Sequence, residues 1–114
     1  MKVCIPTNTP GGPASPVAES FQDSDFFDFY ELTEDGRFNL YVQIRNCAGM
    51  CKDDVETVVR RGAEAVIVNT ITANTLHRLA ISGVAVYRAL EGQSNDSLNA
   101  LRTKGLSRLD RIKS

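Results

Sequence analysis

The sequence predicts an α/β fold in which a five-stranded mixed sheet carries about three helices on its faces. Three observations predict it. Residues 38–45 alternate between apolar and polar side chains, which is the two-residue period of a half-buried strand. The apolar runs at 65–68 and 84–87 have the length and continuity of buried parallel strands. The intervening segments repeat apolar residues at helical spacing, which predicts βαβ units.

The first half of the chain predicts three strands. Residues 3–5 form a short apolar run that Pro6 ends. Residues 7–16 contain three prolines and two glycines, so we predict a loop there that can act as a flap. The aromatic residues of 25–32 favour a second strand. The Asp-Gly pair at 35–36 predicts a hairpin turn into the third strand, over 38–45.

The second half predicts three helices that alternate with two strands. We predict the first helix over 52–61, ended by Gly62. Thr72 is the expected N-cap of the second helix and Ser94 that of the third, with Gly105 just past its end. The expected inward positions of the three helices are, in order, Val55, Val58 and Val59; Leu76, Leu79 and Ala80; and Leu98 and Leu101. The predicted order is therefore β-β-β-α-β-α-β-α.

Length and composition predict one globular domain with an ordinary core. The chain has 114 residues, and we expect a single domain over 1–105 with a short basic tail over 106–114. A net charge of −1 gives no bulk attraction to nucleic acid or to an anionic membrane. Because no apolar run is long enough to span a bilayer, we expect a cytoplasmic protein whose three cysteines are reduced thiols.

A C-x3-C pair is the most chemically suggestive feature of the chain. Cys47 and Cys51 supply two thiols and Met50 a thioether, and such ligands suit soft metals. A helix beginning near 48–49 would place both thiols at its N-terminus, where the helix dipole lowers a thiol pKa and favours a bound anion. Arg45 and Lys52 flank the pair with positive charge.

The same two cysteines have a purely structural interpretation. Cys51 falls on the apolar stripe of Val55, and free cysteine is often simply buried, while Cys47 would then be an ordinary loop thiol. Two thiols also leave a zinc ion short of its usual four ligands. Cys4, inside the first predicted strand, is expected to be a core residue. We expect His77, the single histidine, to lie at the surface.

Two threonines follow the fourth predicted strand. Ligands of open α/β sheets gather at the carboxyl ends of the strands, so Thr70 and Thr72 are candidates to line the same crevice as Cys47. Their alternative role is that of ordinary turn and cap residues. The first predicted strand contains no carboxylate, and the chain contains no phosphate-binding loop, so neither a two-metal nuclease nor a nucleotide enzyme is favoured.

Several strings, in this order, resemble the dinitrogenase iron–molybdenum cofactor biosynthesis family over nearly the whole chain. They are MKVCIPT at 1–7, SP at 15–16, Phe21, DFF at 25–27, GAEAVIV at 62–68, LAISGVAVY at 79–87 and SLNAL at 97–101. The resemblance implies a ribonuclease H-like fold and a protein that binds or carries a metal–sulfur cofactor without catalysing a reaction.

Three positions depart from the family pattern. Val17 follows Ser15-Pro16 where members often carry a histidine, and the 47–51 segment replaces a His-rich or Gly-rich loop. Asn69-Thr70 stands where the family has two glycines. The ligand set or the metal of this chain is therefore expected to differ from that of other members.

These observations lead to one main hypothesis and two alternatives. The chain is expected to carry a molybdenum-, iron- or copper-type metal–sulfur cluster and to meet protein partners in cofactor delivery, without enzymatic activity. The expected metal ligands are Cys47, Cys51 and Met50, and the expected cofactor contacts are Arg45, Asn46, Lys52, Thr70 and Thr72. The alternatives are a metal-free interaction module, using 25–32 and the basic tail, and a thiol redox switch. The sequence leaves the oligomeric state open.

Overall fold

A five-stranded mixed sheet forms the centre of the molecule, with three helices on its faces, as predicted. The computed structural model describes residues 1–8, 15–21, 24–45, 54–90, 93–103, 105–106 and 108–109. The strands are β1 (Lys2–Thr7), β2 (Phe26–Leu32), β3 (Phe38–Arg45), β4 (Ala65–Val68) and β5 (Ala85–Arg88). The helices are α1 (Asp54–Arg60), α2 (Ala73–Ile81) and α3 (Ser94–Arg102). Their order along the chain is the predicted one.

The strand order across the sheet is β3-β2-β1-β4-β5. β2 is antiparallel to both β1 and β3, whereas β1, β4 and β5 are mutually parallel. Four strands therefore run in one direction and end at the same edge, where β2 begins. In register, Thr7 pairs with Phe26, and Phe26 pairs with Arg45. We call this edge, formed by Thr7, Phe26, Arg45, Val68 and Arg88, the carboxyl edge.

Alternating strand residues supply one apolar core on each face of the sheet. The core beneath α1 and α2 contains Cys4, Phe21, Phe27, Phe29, Val55, Val58, Ala63, Val66, Val68, Ile71, Leu76, Leu79, Val84 and Val86. The core beneath α3 contains Val3, Ile5, Val17, Tyr30, Ala65, Ile67, Leu98 and Leu101. The alternation follows from the strand geometry, since successive side chains point to opposite faces.

A β-bulge interrupts the regular period of β3. Phe29 of β2 pairs with Val42, but the next residue, Tyr30, pairs with Leu40. Tyr41 is therefore an extra residue in β3, and it is exposed, with its ring 6.3 Å from that of Phe29. Such an insertion bends the strand and moves the side chains after it to the other face.

The bulge overturns the prediction that β3 has a single buried face. Phe38 packs against the core beneath α3, whereas Val42 and Ile44 pack against the core beneath α1 and α2. Leu40, at the point of change, is 39% exposed. The alternation of apolar residues in the sequence continues unchanged through the bulge. The sequence pattern therefore does not reveal the extra residue.

The first two helices bury narrower faces than predicted. Val59 of α1 is 40% exposed and Ala80 of α2 is exposed, so both inward assignments were wrong. Their neighbours in the sequence, Val58 and Leu79, are fully buried, as predicted. Gly62 ends α1 as predicted, with a φ of +76° that a side chain would strain. Residues 52–53, at the predicted start of α1, lie outside the described residues.

The N-cap of the third helix lies one residue before the predicted one. Gln93 is the N-cap, and its backbone N donates to Asp96 Oδ2 at 2.9 Å. Ser94 is instead the first helical residue and is buried. Leu98 and Leu101 point inward as predicted. Beyond α3, Leu109 N donates to Val86 O at 2.7 Å, so this part of the tail lies along β5.

In the described part of the chain, no helix has both the length and the apolar character needed to cross a membrane. The longest helices there, α2 and α3, have nine residues each. A membrane span needs about twenty apolar residues.

Leu79 and Ile81 of α2 provide a matched test of the core beneath that helix. Leu79 is fully buried, whereas Ile81 is 71% exposed. We expect Leu79→Ala to lower the free energy of unfolding by about 2–5 kcal/mol, since it leaves a cavity in a packed core. Ile81→Ala should lower it by less than about 0.5 kcal/mol. Equal losses in urea denaturation of the two variants would contradict this packing.

Candidate functional site

Both candidate loops begin at the carboxyl edge. The predicted flap over 7–16 follows β1, and the C-x3-C segment follows β3. One strand, β2, separates them in the sheet, so their starting points lie about 10 Å apart. β4 ends at this same edge and leads to Thr70 and Thr72. The strands that lead to these residues therefore end at one edge of the sheet, and the crevice itself stays a prediction.

Most of the predicted ligands lie beyond the part of the chain that the structure describes. Residues 46–53, which contain Asn46, Cys47, Met50, Cys51 and Lys52, are outside it. Their roles, and the predicted helix start near the thiols, therefore stay predictions. Arg45 is described: it is the last residue of β3, is exposed, and pairs in register with Phe26 at the carboxyl edge.

Residues 15–21, which we call the strap, cross the carboxyl edge of β1 and β4. Ala18 N donates to Pro6 O at 2.7 Å, which joins the strap to β1. Ser94 donates to Ser15 O through both its backbone N, at 2.7 Å, and its Oγ, at 2.8 Å. The strap therefore connects the end of the central strand to the start of α3.

Asn69 and Thr70 fasten the strap to the turn after β4. Asn69 Nδ2 donates to Val17 O and Ala18 O at 3.1 and 3.2 Å. Thr70 Oγ1 donates to Glu19 O at 2.6 Å, and Thr70 N donates to the same oxygen at 3.0 Å. Asn69 and Thr70 are thus hydrogen-bonded through their side chains to the strap.

Thr72 is the N-cap of α2, as predicted. Its Oγ1 accepts from Thr75 N at 3.2 Å and lies 2.9 Å from Thr75 Oγ1. The hydroxyls of Thr70 and Thr72 therefore already have protein partners, and their contacts with a cofactor stay predictions. His77 is exposed and Cys4 is fully buried, in agreement with the sequence.

Asp28, which no sequence pattern singled out, is a fully buried carboxylate beneath the carboxyl edge. Its Oδ1 accepts from Gln43 Nε2 at 2.7 Å, and its Oδ2 accepts from Thr7 Oγ1 at 3.4 Å. The sequence signal was a single charged residue within an aromatic strand, FFDFY, where alternation would favour an exposed position. Both faces of β2 are covered, since Phe27 and Phe29 lie in one core and Tyr30 lies in the other.

Burial raises the pKa of the Asp28 carboxyl above its ordinary value, while the hydrogen bonds from Gln43 and Thr7 act in the opposite direction. Burial also raises the pKa of the Cys4 thiol well above its usual range, and the charge of Asp28 raises it further. The pKa of the Tyr30 phenol is raised for the same two reasons. Cys4 is therefore a protonated thiol and a poor metal ligand.

Within the described residues, no group of three or more His, Cys, Asp or Glu side chains is placed to hold a metal ion. The predicted ligands Cys47 and Cys51 lie outside the described residues, so their part in a metal site stays a prediction. The donor chemistry of two thiols suits a soft metal or a metal–sulfur cluster.

Comparison with known proteins gives one family match and several structural neighbours. Residues 1–104 match the family model described as dinitrogenase iron-molybdenum cofactor. No curated protein sequence matches the chain. The crystal structure of PH0822 is 21% identical, with a TM-score of 0.80 over 95% of this chain and 96% of that one.

Two further neighbours have known sources. A Methanocaldococcus jannaschii protein, provisionally described as a dinitrogenase, is 16% identical, with a TM-score of 0.80 over 98% of this chain and 97% of that one. The apo form of the orange protein from Desulfovibrio gigas is 11% identical, with a TM-score of 0.81 over 99% and 96%. At these identities the three structures establish the fold alone.

Asp28→Asn should change how stability depends on pH. Because the folded-state pKa of Asp28 is raised, its protonated form stabilises the fold below the unfolded pKa of about 3.9, and this contribution is lost as pH rises through the folded pKa. We therefore expect the stability of the variant, relative to the unmodified protein, to increase from pH 4 to pH 8 in urea denaturation. The exposed Asp25→Asn variant is the control and should show no such trend. A pH-independent difference for Asp28→Asn would contradict a raised pKa.

Proposed function

The chain belongs to the dinitrogenase iron–molybdenum cofactor family, and from that membership we propose that it is a small carrier or scaffold for a metal–sulfur cluster. The family match over residues 1–104 is the observation that carries the proposal. In this proposal the cluster is cargo, the protein is not an enzyme, and it works in the cytoplasm with protein partners that supply or receive the cluster. The order β3-β2-β1-β4-β5 supports a ribonuclease H-like assignment of the fold.

The proposed site is the carboxyl edge between the ends of β1 and β3. Cys47 and Cys51 would hold or guide the cluster, with Met50 as a weak thioether ligand. Their segment leaves the sheet directly after Arg45, and the flap leaves it after Thr7, so the fold supports a site that the two segments share. Asn46 and Lys52 flank the thiols in the sequence and would contact the bound cluster.

The charge at this edge supports an anionic cargo. Arg45 and Arg88 end β3 and β5 and are both exposed there. α2 and α3 follow strands that end at the carboxyl edge, so the positive ends of their dipoles lie on that side of the molecule. Molybdenum- and iron-type clusters with sulfide carry negative charge, and cationic side chains with helix N-termini favour such ligands.

Anaerobic reconstitution tests the proposal directly. With tetrathiomolybdate and Cu(I), or with iron and sulfide, we expect a stable visible chromophore that comigrates with the protein in gel filtration. The double variant Cys47→Ser/Cys51→Ser should lose it, since serine oxygens are poor ligands for soft metals. Cys4→Ala is the matched control and should retain the chromophore, because Cys4 is fully buried in the core.

Two outcomes would overturn the proposal. Equal chromophore in the double variant would exclude the thiols as ligands. The absence of any chromophore, together with no metal or sulfide in protein purified without oxygen, would exclude a carrier role. In the second case, a loss of free thiols after mild oxidation would identify the redox switch instead.

A further inference from the structure

The two edges of the sheet are treated differently by the chain. The strand order places β3 at one edge and β5 at the other. On the outer side of β5, Arg108 forms an antiparallel bridge with Tyr87, and Leu109 N donates to Val86 O at 2.7 Å, so the tail covers that edge. Among the described residues, no strand or isolated bridge lies on the outer side of β3. The outer side of β3 is therefore available for pairing.

The composition of β3 does little to prevent such pairing. Proline, lysine and bulges commonly blunt an edge strand. Residues 38–45 contain no proline and no lysine, and their one charge, on Arg45, stands at the end. Leu40 and Tyr41, at the centre of this eight-residue strand, are 39% and 43% exposed. The bulge at Tyr41 is the one blunting feature, and its effect on the backbone favours a particular partner.

The hydrogen bonds of β2 determine which backbone groups of β3 point outward. Met1 N donates to Leu32 O at 3.0 Å and Leu32 N donates to Met1 O at 2.7 Å, so every second residue of β2, counted from Leu32, bonds to β1. The residues between them bond to β3 instead. Their partners on β3 are Asn39, Val42 and Ile44. The backbone groups that point away from the sheet are those of Phe38, Leu40, Gln43 and Arg45.

This outward set is symmetric about the middle of the strand, between residues 41 and 42. If two copies of β3 run antiparallel about a two-fold axis there, Phe38 lies opposite the partner's Arg45. Leu40 then lies opposite the partner's Gln43. In each of these pairs both residues point their backbone groups at each other, so each pair can exchange two hydrogen bonds. The bulge produces this symmetry, because it shifts the alternation between Leu40 and Gln43.

We infer that β3 is the interface between two copies of this chain, which pair antiparallel about a two-fold axis between residues 41 and 42. The two sheets join there into one continuous sheet. A second copy fits this edge because the outward backbone groups, the central side chains and the end charges of β3 each complement themselves, as an isologous interface requires. The inference does not depend on the proposed function.

Two apolar side chains meet their own copies at the axis. The ring of Tyr41 is 6.3 Å from that of Phe29, and Val42 packs against the core that contains Phe29, so both side chains lie on one face of the sheet. Antiparallel pairing places Tyr41 opposite the partner's Val42, and Val42 opposite the partner's Tyr41. Aromatic and β-branched residues are favourable cross-strand neighbours. The exposed part of Tyr41 is covered in this arrangement.

The charges at the two ends of β3 favour the antiparallel direction. Arg45 is exposed at one end. The hairpin before the other end carries two exposed carboxylates and one exposed guanidinium, a net charge of −1, on Glu34, Asp35 and Arg37. Antiparallel pairing brings Arg45 towards the partner's hairpin. Parallel pairing in register would instead place it beside the partner's Arg45, and like charges that lie opposite each other destabilise a sheet.

Sedimentation equilibrium under reducing conditions, from micromolar to millimolar protein, tests the inference. We expect the mass to rise from that of one chain to that of two and no further, since a two-fold interface is closed. Tyr41→Lys should weaken dimer formation by about tenfold or more, because two apolar contacts are lost and two ammonium groups approach the axis. Ile81→Lys is the matched control and should dimerise unchanged. Ile81 is 71% exposed on α2, which leads into β5 at the other edge.

Two proline variants test the direction of the backbone groups and keep the experiment decisive if Tyr41→Lys does not fold. Leu40→Pro removes an N–H that points outward, so it should abolish the dimer with little change in the free energy of unfolding of the monomer. Asn39→Pro removes an N–H that bonds to β2, so it should destabilise the monomer itself. A dimer that survives Leu40→Pro, or equal losses of stability in urea denaturation, would overturn the inference.

Disulfide trapping tests the register. In a Cys47→Ser/Cys51→Ser background, Asn39→Cys of one copy lies opposite Ile44→Cys of the other, about 4.5 Å apart between Cα atoms, and mild oxidation of the mixture should link them. Neither variant alone should link, because its two cysteines lie about 15 Å apart along the strands. An unlinked mixture, or linked Asn39→Cys alone, would overturn the inference. A single chain at every concentration would also overturn it and leave the edge to a strand of a different protein.

Discussion

The placement of β1 between an antiparallel and a parallel neighbour determines the geometry of the whole molecule. β1 pairs with β2 over its full length and with β4 through Val3 and Cys4. It is the strand where the hairpin half of the sheet meets the βαβ half, and its residues 3–7 are buried. Because β1, β3, β4 and β5 then share one direction, the carboxyl ends of four strands meet at one edge. Ligands of α/β sheets bind at such edges.

The strap crosses the carboxyl edge and is hydrogen-bonded to the elements around it. Asn69 and Thr70, by their hydrogen bonds to the strap, join the turn after β4 to residues 17–19, and Ser94 joins the strap to α3. The two glycines that the resemblance implies at 69–70 would supply no side chains for these bonds. In this chain the turn is therefore hydrogen-bonded to the strap, and the strap to the start of α3.

Asp28 shows how the same sheet accommodates an unfavourable group. Its carboxylate is desolvated, yet it accepts hydrogen bonds from the strand on each side, and these lower the cost of its charge. The phenol of Tyr30, two residues along β2, is also buried, and no residue in the described part of the chain hydrogen-bonds its hydroxyl. Two polar side chains, those of Asp28 and Tyr30, are thus buried on β2.

The sequence by itself determined the type and order of the elements, the end of α1 at Gly62 and the cap of α2 at Thr72. These features depend on the spacing of apolar residues, on the helix and strand propensities of the residues, and on hydrogen bonds between near neighbours in the sequence. A short stretch of sequence is therefore enough to predict them. The tertiary structure decided the bulge at Tyr41, because strand register depends on the partner strand. It also decided the strap contacts and the environment of Asp28. Ser94 and Ser15 are 79 positions apart, and Asp28 and Gln43 are 15 apart, so no local pattern could pair them.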